Sequence, residues 1–118
     1  MDISDMDTFQ PLKPAPFHIL LALAGGDSYG YAIMQAVREQ SGGRLPIQTG
    51  SFYRHLAKLI DEGLVAETDA PRAADPRRSA YYHLTPRGRR ALSAEQRRLA
   101  DLLAVANGLH APSRKGES

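Results

Sequence analysis

The stretch TGSFYRHLAKLIDEG, residues 49–63, restricts the fold more than any other part of the chain. Thr49 or Ser51 suits the N-cap of a helix, because a side-chain oxygen there accepts from a free first-turn N–H, and Gly63 supplies the left-handed position that ends one. Between these signals Phe52, Leu56, Leu59 and Ile60 recur at helical spacing, so they share a face that other elements must cover. Ser51, Arg54 and Lys58 project from the opposite face, with Tyr53 and His55 on its flanks. Two cations, a hydroxyl and an aromatic ring thus gather near a helix N-terminus, where free N–H groups and the macrodipole already favour phosphate. Taken alone, such charges are most often a solvated face. The surrounding elements point instead to a helix that lies on DNA.

A helix with so wide an apolar stripe needs partners, and the preceding residues supply them. From Pro14 or Pro16, either of which fits a first helical turn, APFHILLALA reads as a helix ending at Gly25-Gly26. It is apolar nearly all round and expects cover on more than one side. Asp27 or Ser28 is placed to cap a second helix over residues 29–41, with Gly30, Ile33, Met34 and Val37 inward and Gly42-Gly43 as its stop. Residues 44–48 alternate Leu45 and Ile47 with polar neighbours, as a brief strand does. Helices two and three with a short Gly-containing connection have the form of a helix-turn-helix.

After Gly63 the period changes from helical to two. Residues 64–68 predict a strand, 70–75 (APRAAD) a proline-punctuated loop and 77–84 (RRSAYYHL) a returning strand: a hairpin with a charged tip. The fold class is therefore mainly α with a small β-hairpin, a winged helix-turn-helix whose third helix enters the major groove while the hairpin lies along the backbone. Thr85-Pro86 then opens a last helix reaching about residue 109, with Leu92, Leu99, Leu102, Leu103, Ala106 and Leu109 at helical or heptad-like spacing. That is more apolar surface than a small domain needs at its end. An identical subunit across a two-fold axis is the common solution, and it presents two recognition helices to a palindromic site. The chain divides into an arm expected to pack little (1–13), a winged-helix domain (14–85), a dimerisation helix (86–110) and a tail expected to be disordered (111–118).

Charge supports the same reading. The net charge is only +2, yet between residues 72 and 90 six arginines face one acid, Asp75, a local balance of +5. Such a cluster is a footprint for a polyanion. Arg72, Arg77 and Arg78, in or beside the wing, are suited to phosphates, each steepening the salt dependence by about one counterion. Arg54 suits a base edge, since its guanidinium matches the two acceptors of guanine, while Ser51, His55 and Lys58 can touch bases or phosphates. Tyr53 and Tyr29 fit either a phosphate hydrogen bond or packing at a helix edge. Arg87, Arg89 and Arg90 read as solvation of the helix start, with at most one phosphate contact.

Other chemistries find little support. Without cysteine there is no disulfide framework, thiolate metal site or thiol nucleophile, and a reducing interior is permitted. His18, His55, His83 and His110 fall on separate elements without ligand spacing, so no metal and no cofactor is expected, and His18 reads as a packed or edge residue. Ser51 and His55 lie one turn apart, but helical geometry points Asp61 away from the imidazole and no oxyanion loop is evident, so the chain is not read as an enzyme. The apolar run 17–24 is too short to span a bilayer, and Asp2, Asp5 and Asp7 replace the basic start of a secretory signal. Cytoplasmic location without membrane contact is the expectation.

Three stretches then carry a family resemblance: ILLALAGGDSYGYAIMQAV, GSFYRHLAKLIDEGLV and RRSAYYHLTPRGRRAL. In this order they resemble the opening helices, recognition helix and Tyr-Tyr-x-Leu-Thr-x-x-Gly passage of PadR-family bacterial transcriptional regulators, over about residues 19–92. The resemblance implies a homodimeric repressor on a palindromic operator, with dimerisation through the last helix packed on N-terminal helix elements. It also implies release by a small-molecule effector in some members. The single final helix is similar to the shorter branch, whose multidrug-binding members stack flat ligands on a tryptophan of that helix. This chain has no tryptophan, and no aromatic residue follows Arg87. No particular effector is therefore expected. The competing interpretation is a winged helix that binds protein without specific DNA binding, for which Arg54, Lys58 and the wing arginines are dispensable.

Overall fold

Helix α1 (Pro14–Ala24) is the element against which the others pack, touching all three remaining helices and a strand of the hairpin. The computed structural model describes residues 9–72 and 80–110. Ile19, Leu20 and Leu23 of α1 are buried, each worth roughly 1.5–3 kcal/mol relative to exposure. This accounts for a helix apolar nearly all round: Phe17 and Leu21 on its remaining faces are also packed against the core.

The chain continues through β1 (Ser28–Tyr29), α2 (Gly30–Gln40), α3 (Thr49–Asp61), β2 (Val65–Thr68), β3 (Tyr81–Leu84) and α4 (Pro86–His110). The three strands form one antiparallel sheet in the order β1-β3-β2, with Tyr29 opposite Tyr81 and Val65 opposite Leu84. The fold is thus mainly helical with a small sheet, as the change of period after Gly63 implies.

Two helix ends follow from glycine. After α2, Gly42 and Gly43 adopt φ of 63° and 79°, and the Gly43 N–H returns to the Arg38 carbonyl at 2.9 Å. After α3, Gly63 at φ 78° lets its N–H reach Ile60 and the Leu64 N–H reach Leu59, both at 3.0 Å. These paired returns satisfy carbonyls that a helix end leaves open.

Several local expectations are corrected. Residues 44–48 form no strand. The Leu45 N–H goes to the Ser41 hydroxyl at 3.1 Å, the Ile47 carbonyl accepts from Arg38 at 3.3 Å, and Pro46 has no N–H to give a ladder. The alternation of Leu45 and Ile47 arises because both pack on the core from an irregular loop. The third strand is instead Ser28–Tyr29, so neither Asp27 nor Ser28 caps α2: Tyr29 is the N-cap in extended conformation, and Asp27 holds His83 Nδ1 of β3 at 2.8 Å. Helix α3 begins one residue early, with Gln48 rather than Thr49 or Ser51 at the N-cap, and Ile60 lies at the exposed edge of the stripe.

The expected loose arm also differs in its last residues. Phe9 and Leu12 pack against the core, and the Leu12 N–H donates to the buried carboxylate of Glu95 at 3.1 Å. Two anchors at irregular spacing can dock an extended segment without any periodic signal. Residues 1–8, Arg77, Arg78 and the tail 111–118 lie outside the described residues.

Candidate nucleic-acid interface

Helix α3 presents two faces of opposite character. Phe52, Leu56 and Leu59 are fully buried, whereas Arg54 and Lys58 are exposed and Ser51 and His55 half-buried. No side chain caps the helix at Gln48, which leaves its first-turn N–H groups directed outward among the described residues. The Arg54 guanidinium leans toward that turn, 3.6 Å from where a Cβ on Gly50 would stand. Side chains on a helix incline toward its N-terminus, so a cation in the second turn reinforces the positive helix end. Lys58 is engaged at 3.3 Å with Glu62, one turn on. Such exposed pairs contribute only about 0.3–0.5 kcal/mol and yield readily to another anion.

Tyr53 is placed by a glycine. A Cβ on Gly30 would stand 2.2 Å from the Tyr53 hydroxyl oxygen and 3.0 Å from the ring carbon that bears it, so glycine at the start of α2 leaves the space this ring occupies. Its other side meets Phe52 edge-on at 4.9 Å. Tyr53 therefore packs at the joint between α2 and α3, yet remains 44% exposed. Tyr29 lies 5.6 Å from Tyr81 across the β1–β3 pair, and the Tyr82 hydroxyl is held above its usual range by burial first, then by Glu67 and Tyr53. Tyr29 and Tyr81 thus join β1 to β3. Nothing in the residue spacing distinguishes Gly30 from a helix-start glycine, because the close approach comes from a helix 23 positions later.

The start of α4 is built as closely. The Thr85 hydroxyl accepts from the Gly88 N–H at 2.9 Å, the N-cap expected of Thr85-Pro86, and also donates to the Gly63 carbonyl at 2.7 Å. A Cβ on Gly88 would lie 2.1 Å from the Leu64 carbonyl oxygen and 2.6 Å from Leu84 Cδ1. The Thr-x-x-Gly spacing thus has a physical cause: the hydroxyl closes the first turn, and the missing side chain lets that turn rest on the β2 entry. Arg87 is not simply solvated; its Nε donates to the Glu62 carbonyl at 3.3 Å and its guanidinium lies over the Phe9 ring at 5.1 Å. Arg89 and Arg90 are exposed and share a surface with Arg97.

Of the other expected residues, Arg72 is exposed at the end of the described part of the wing. Leu92 belongs to the protomer's own core, which separates it from the outer stripe of Leu99, Leu102 and Leu103, exposed at 39%, 51% and 61%. Val105 and Leu109 extend that stripe and Ala106 is half-buried beside it. Among the described residues, no helix is long and apolar enough to cross a membrane and no group of three acidic or histidine residues could hold a metal ion.

Comparison with known proteins identifies this arrangement. The description "Transcriptional regulator PadR-like family" matches residues 19–94, from the middle of α1 into the buried half of α4. The chain belongs to the PadR-like family of transcriptional regulators. Among solved structures, a transcriptional regulator from Clostridium thermocellum is 25% identical with a TM-score of 0.66, covering 81% of this chain and 89% of that one. A PadR family regulator from Clostridium difficile R20291 shares the fold with a TM-score of 0.71 at 24% identity, over 82% of this chain and 98% of that one. An uncharacterised 37.1 kDa protein of transposon TN4556 from Streptomyces fradiae is 38% identical over 84 residues, 71% of this chain but only 22% of the relative's length.

Proposed function

We propose that this PadR-like chain is a homodimeric, sequence-specific DNA-binding repressor that places α3 of each subunit in successive major grooves of a palindromic operator. The observation that carries this reading is the division of α3: one face fully buried, the other offering Arg54, Lys58 and an uncapped helix start. Arg54 suits a guanine edge, and Ser51, His55, Tyr53, Tyr29 and Lys58 suit bases or flanking phosphates. Arg72, with Arg77 and Arg78, supplies the wing's phosphate contacts. The exposed stripe from Leu99 to Leu109 supports self-association, since contiguous apolar surface of this kind marks an interaction site.

The test is binding of the purified protein to DNA from its own upstream region at two salt concentrations, with a mass determination in solution. Tight, salt-sensitive, sequence-selective binding by a dimer is expected. Arg54→Ala is expected to cost roughly 1–3 kcal/mol on the specific site and relax preference at one base pair, whereas Arg72→Ala weakens all sequences alike. Equal, sequence-independent losses from both would remove Arg54 from base reading. Binding no better than to random DNA would leave a winged helix that recognises protein.

A further inference from the structure

The turn between α2 and α3 is organised around one residue. Arg38, in the last turn of α2, donates through one terminal nitrogen to the Ile47 carbonyl at 3.3 Å and through the other to the Gln35 side-chain oxygen at 2.8 Å. Its own carbonyl accepts from the Gly43 N–H at 2.9 Å and from the Ser41 hydroxyl at 3.2 Å. One residue thus holds both the front and the back of the turn. Ile47 is fixed on two sides, by its side chain in the core and by the guanidinium on its carbonyl. A carbonyl shares a rigid peptide plane with the N–H that follows, so holding it sets the direction in which the chain enters Gln48. No side chain caps α3 at that residue.

We propose that Arg38 is a positioning residue for sequence reading: by bracketing the Ile47 carbonyl it stands in for the missing cap and sets the orientation of the first turn of α3, without itself touching DNA. Arg54 depends on that turn, since its guanidinium leans over Gly50. A bidentate contact to one base tolerates little angular error, because hydrogen bonds weaken steeply off axis, whereas attraction between a cation and a phosphate is far less directional. Loss of the bracket therefore lowers selectivity more than total DNA affinity. The bracket stands on the hydrogen bonds alone; its effect on selectivity rests on the function proposed above.

Two measurements on the full chain test this, and because Arg38 is exposed its removal opens no cavity. Without DNA, amide hydrogen exchange in Arg38→Met is expected to quicken several-fold at Phe52, whose N–H donates to the Gln48 carbonyl at 2.8 Å, and to stay unchanged at the buried Leu20. With DNA from the protein's own upstream region and random DNA of equal length, the same variant is expected to lose about tenfold in selectivity, in keeping with a hydrogen bond to a charged group. Its affinity for random DNA and its salt slope are expected to match the wild type. Gln35→Ala keeps the cation but removes its second anchor, and is expected to lose about threefold in selectivity; it carries the test if Arg38→Met does not fold. Equal losses on both DNAs, with a salt slope lower by about one counterion, would make Arg38 a phosphate contact and overturn the proposal. Unchanged exchange at Phe52 would overturn it too, as would exchange quickened alike at Leu20, which would make Arg38 a matter of overall stability. A wild-type protein that does not distinguish the two DNAs would break the proposed function, and the bracket would then be decided by exchange at Phe52.

Discussion

The two halves of α4 are parts of one helix held by different means. Up to Arg98 the helix is locked into the protomer: Gly88 rests on the Leu64 carbonyl, Ala91 and Leu92 are in the core, and Glu95 is buried with a backbone and an arginine partner. From Leu99 onward its apolar residues face outward, Leu109 at 79%. The family match ends at residue 94, near the same boundary. The first half is thus specified by contacts the chain makes with itself, and the second carries apolar residues that the protomer leaves uncovered.

Substitutions can break this division, and the largest effect is expected at Gly88. Alanine normally favours a helix interior over glycine by about 1 kcal/mol. Here the added methyl meets backbone, not a flexible side-chain end, so Gly88→Ala is expected to destabilise by about 3 kcal/mol or more in chemical denaturation. A neutral outcome would mean that the α4 start is not seated on β2. Leu92→Ala is next, at roughly 2–4 kcal/mol, and should act at any protein concentration. Leu103→Asp should spare the protomer but reduce the solution mass at low concentration; if it unfolded the chain as Leu92→Ala does, the two halves would not differ as described.

Glu95 sharpens the comparison through pH. Its carboxyl is held below the ordinary carboxylate range, chiefly by the Arg98 hydrogen bond and then by the Leu12 N–H, against the opposing effect of burial. A lowered folded-state pKa contributes stability that is complete above the unfolded-state value and lost as pH falls through the folded one. Glu95→Gln is therefore expected to cost about 1–2 kcal/mol at neutral pH. That deficit should vanish in acid, read as converging thermal midpoints. The smallest effect is expected from Thr85→Ala, about 1 kcal/mol for the lost cap, measurable in the same denaturation series.

Much of the fold was legible because local signals agreed with tertiary need. The α3 stripe, the Gly63 stop and the Thr85-Pro86 start each carry their cause within a few residues. What escaped had its cause far away in sequence. Gly30 makes room for Tyr53 and Gly88 is required by the Leu64 backbone, and Phe9 and Leu12 dock through Arg87 and Glu95 across most of the chain length. Residues 44–48 misled because two core anchors around a proline imitate the alternation of a strand. At the site, the outward set of α3 was legible from helical geometry, whereas Leu92 looked equivalent to Leu99 because both occupy the same periodic face and only distance from the core separates them.

The Thr85 hydroxyl, shared between the Gly63 carbonyl just past α3 and the first turn of α4, ties the end of one helix to the base of the other. A helix of 25 residues is about 37 Å long. With its first half seated on the core, α4 moves with α3 as one rigid arm, so turning the whole protomer through roughly 5° carries the far tip some 3 Å, by the same rise per residue. In the dimer proposed above, the place where the leucine ends meet therefore sets how far apart the two α3 helices stand.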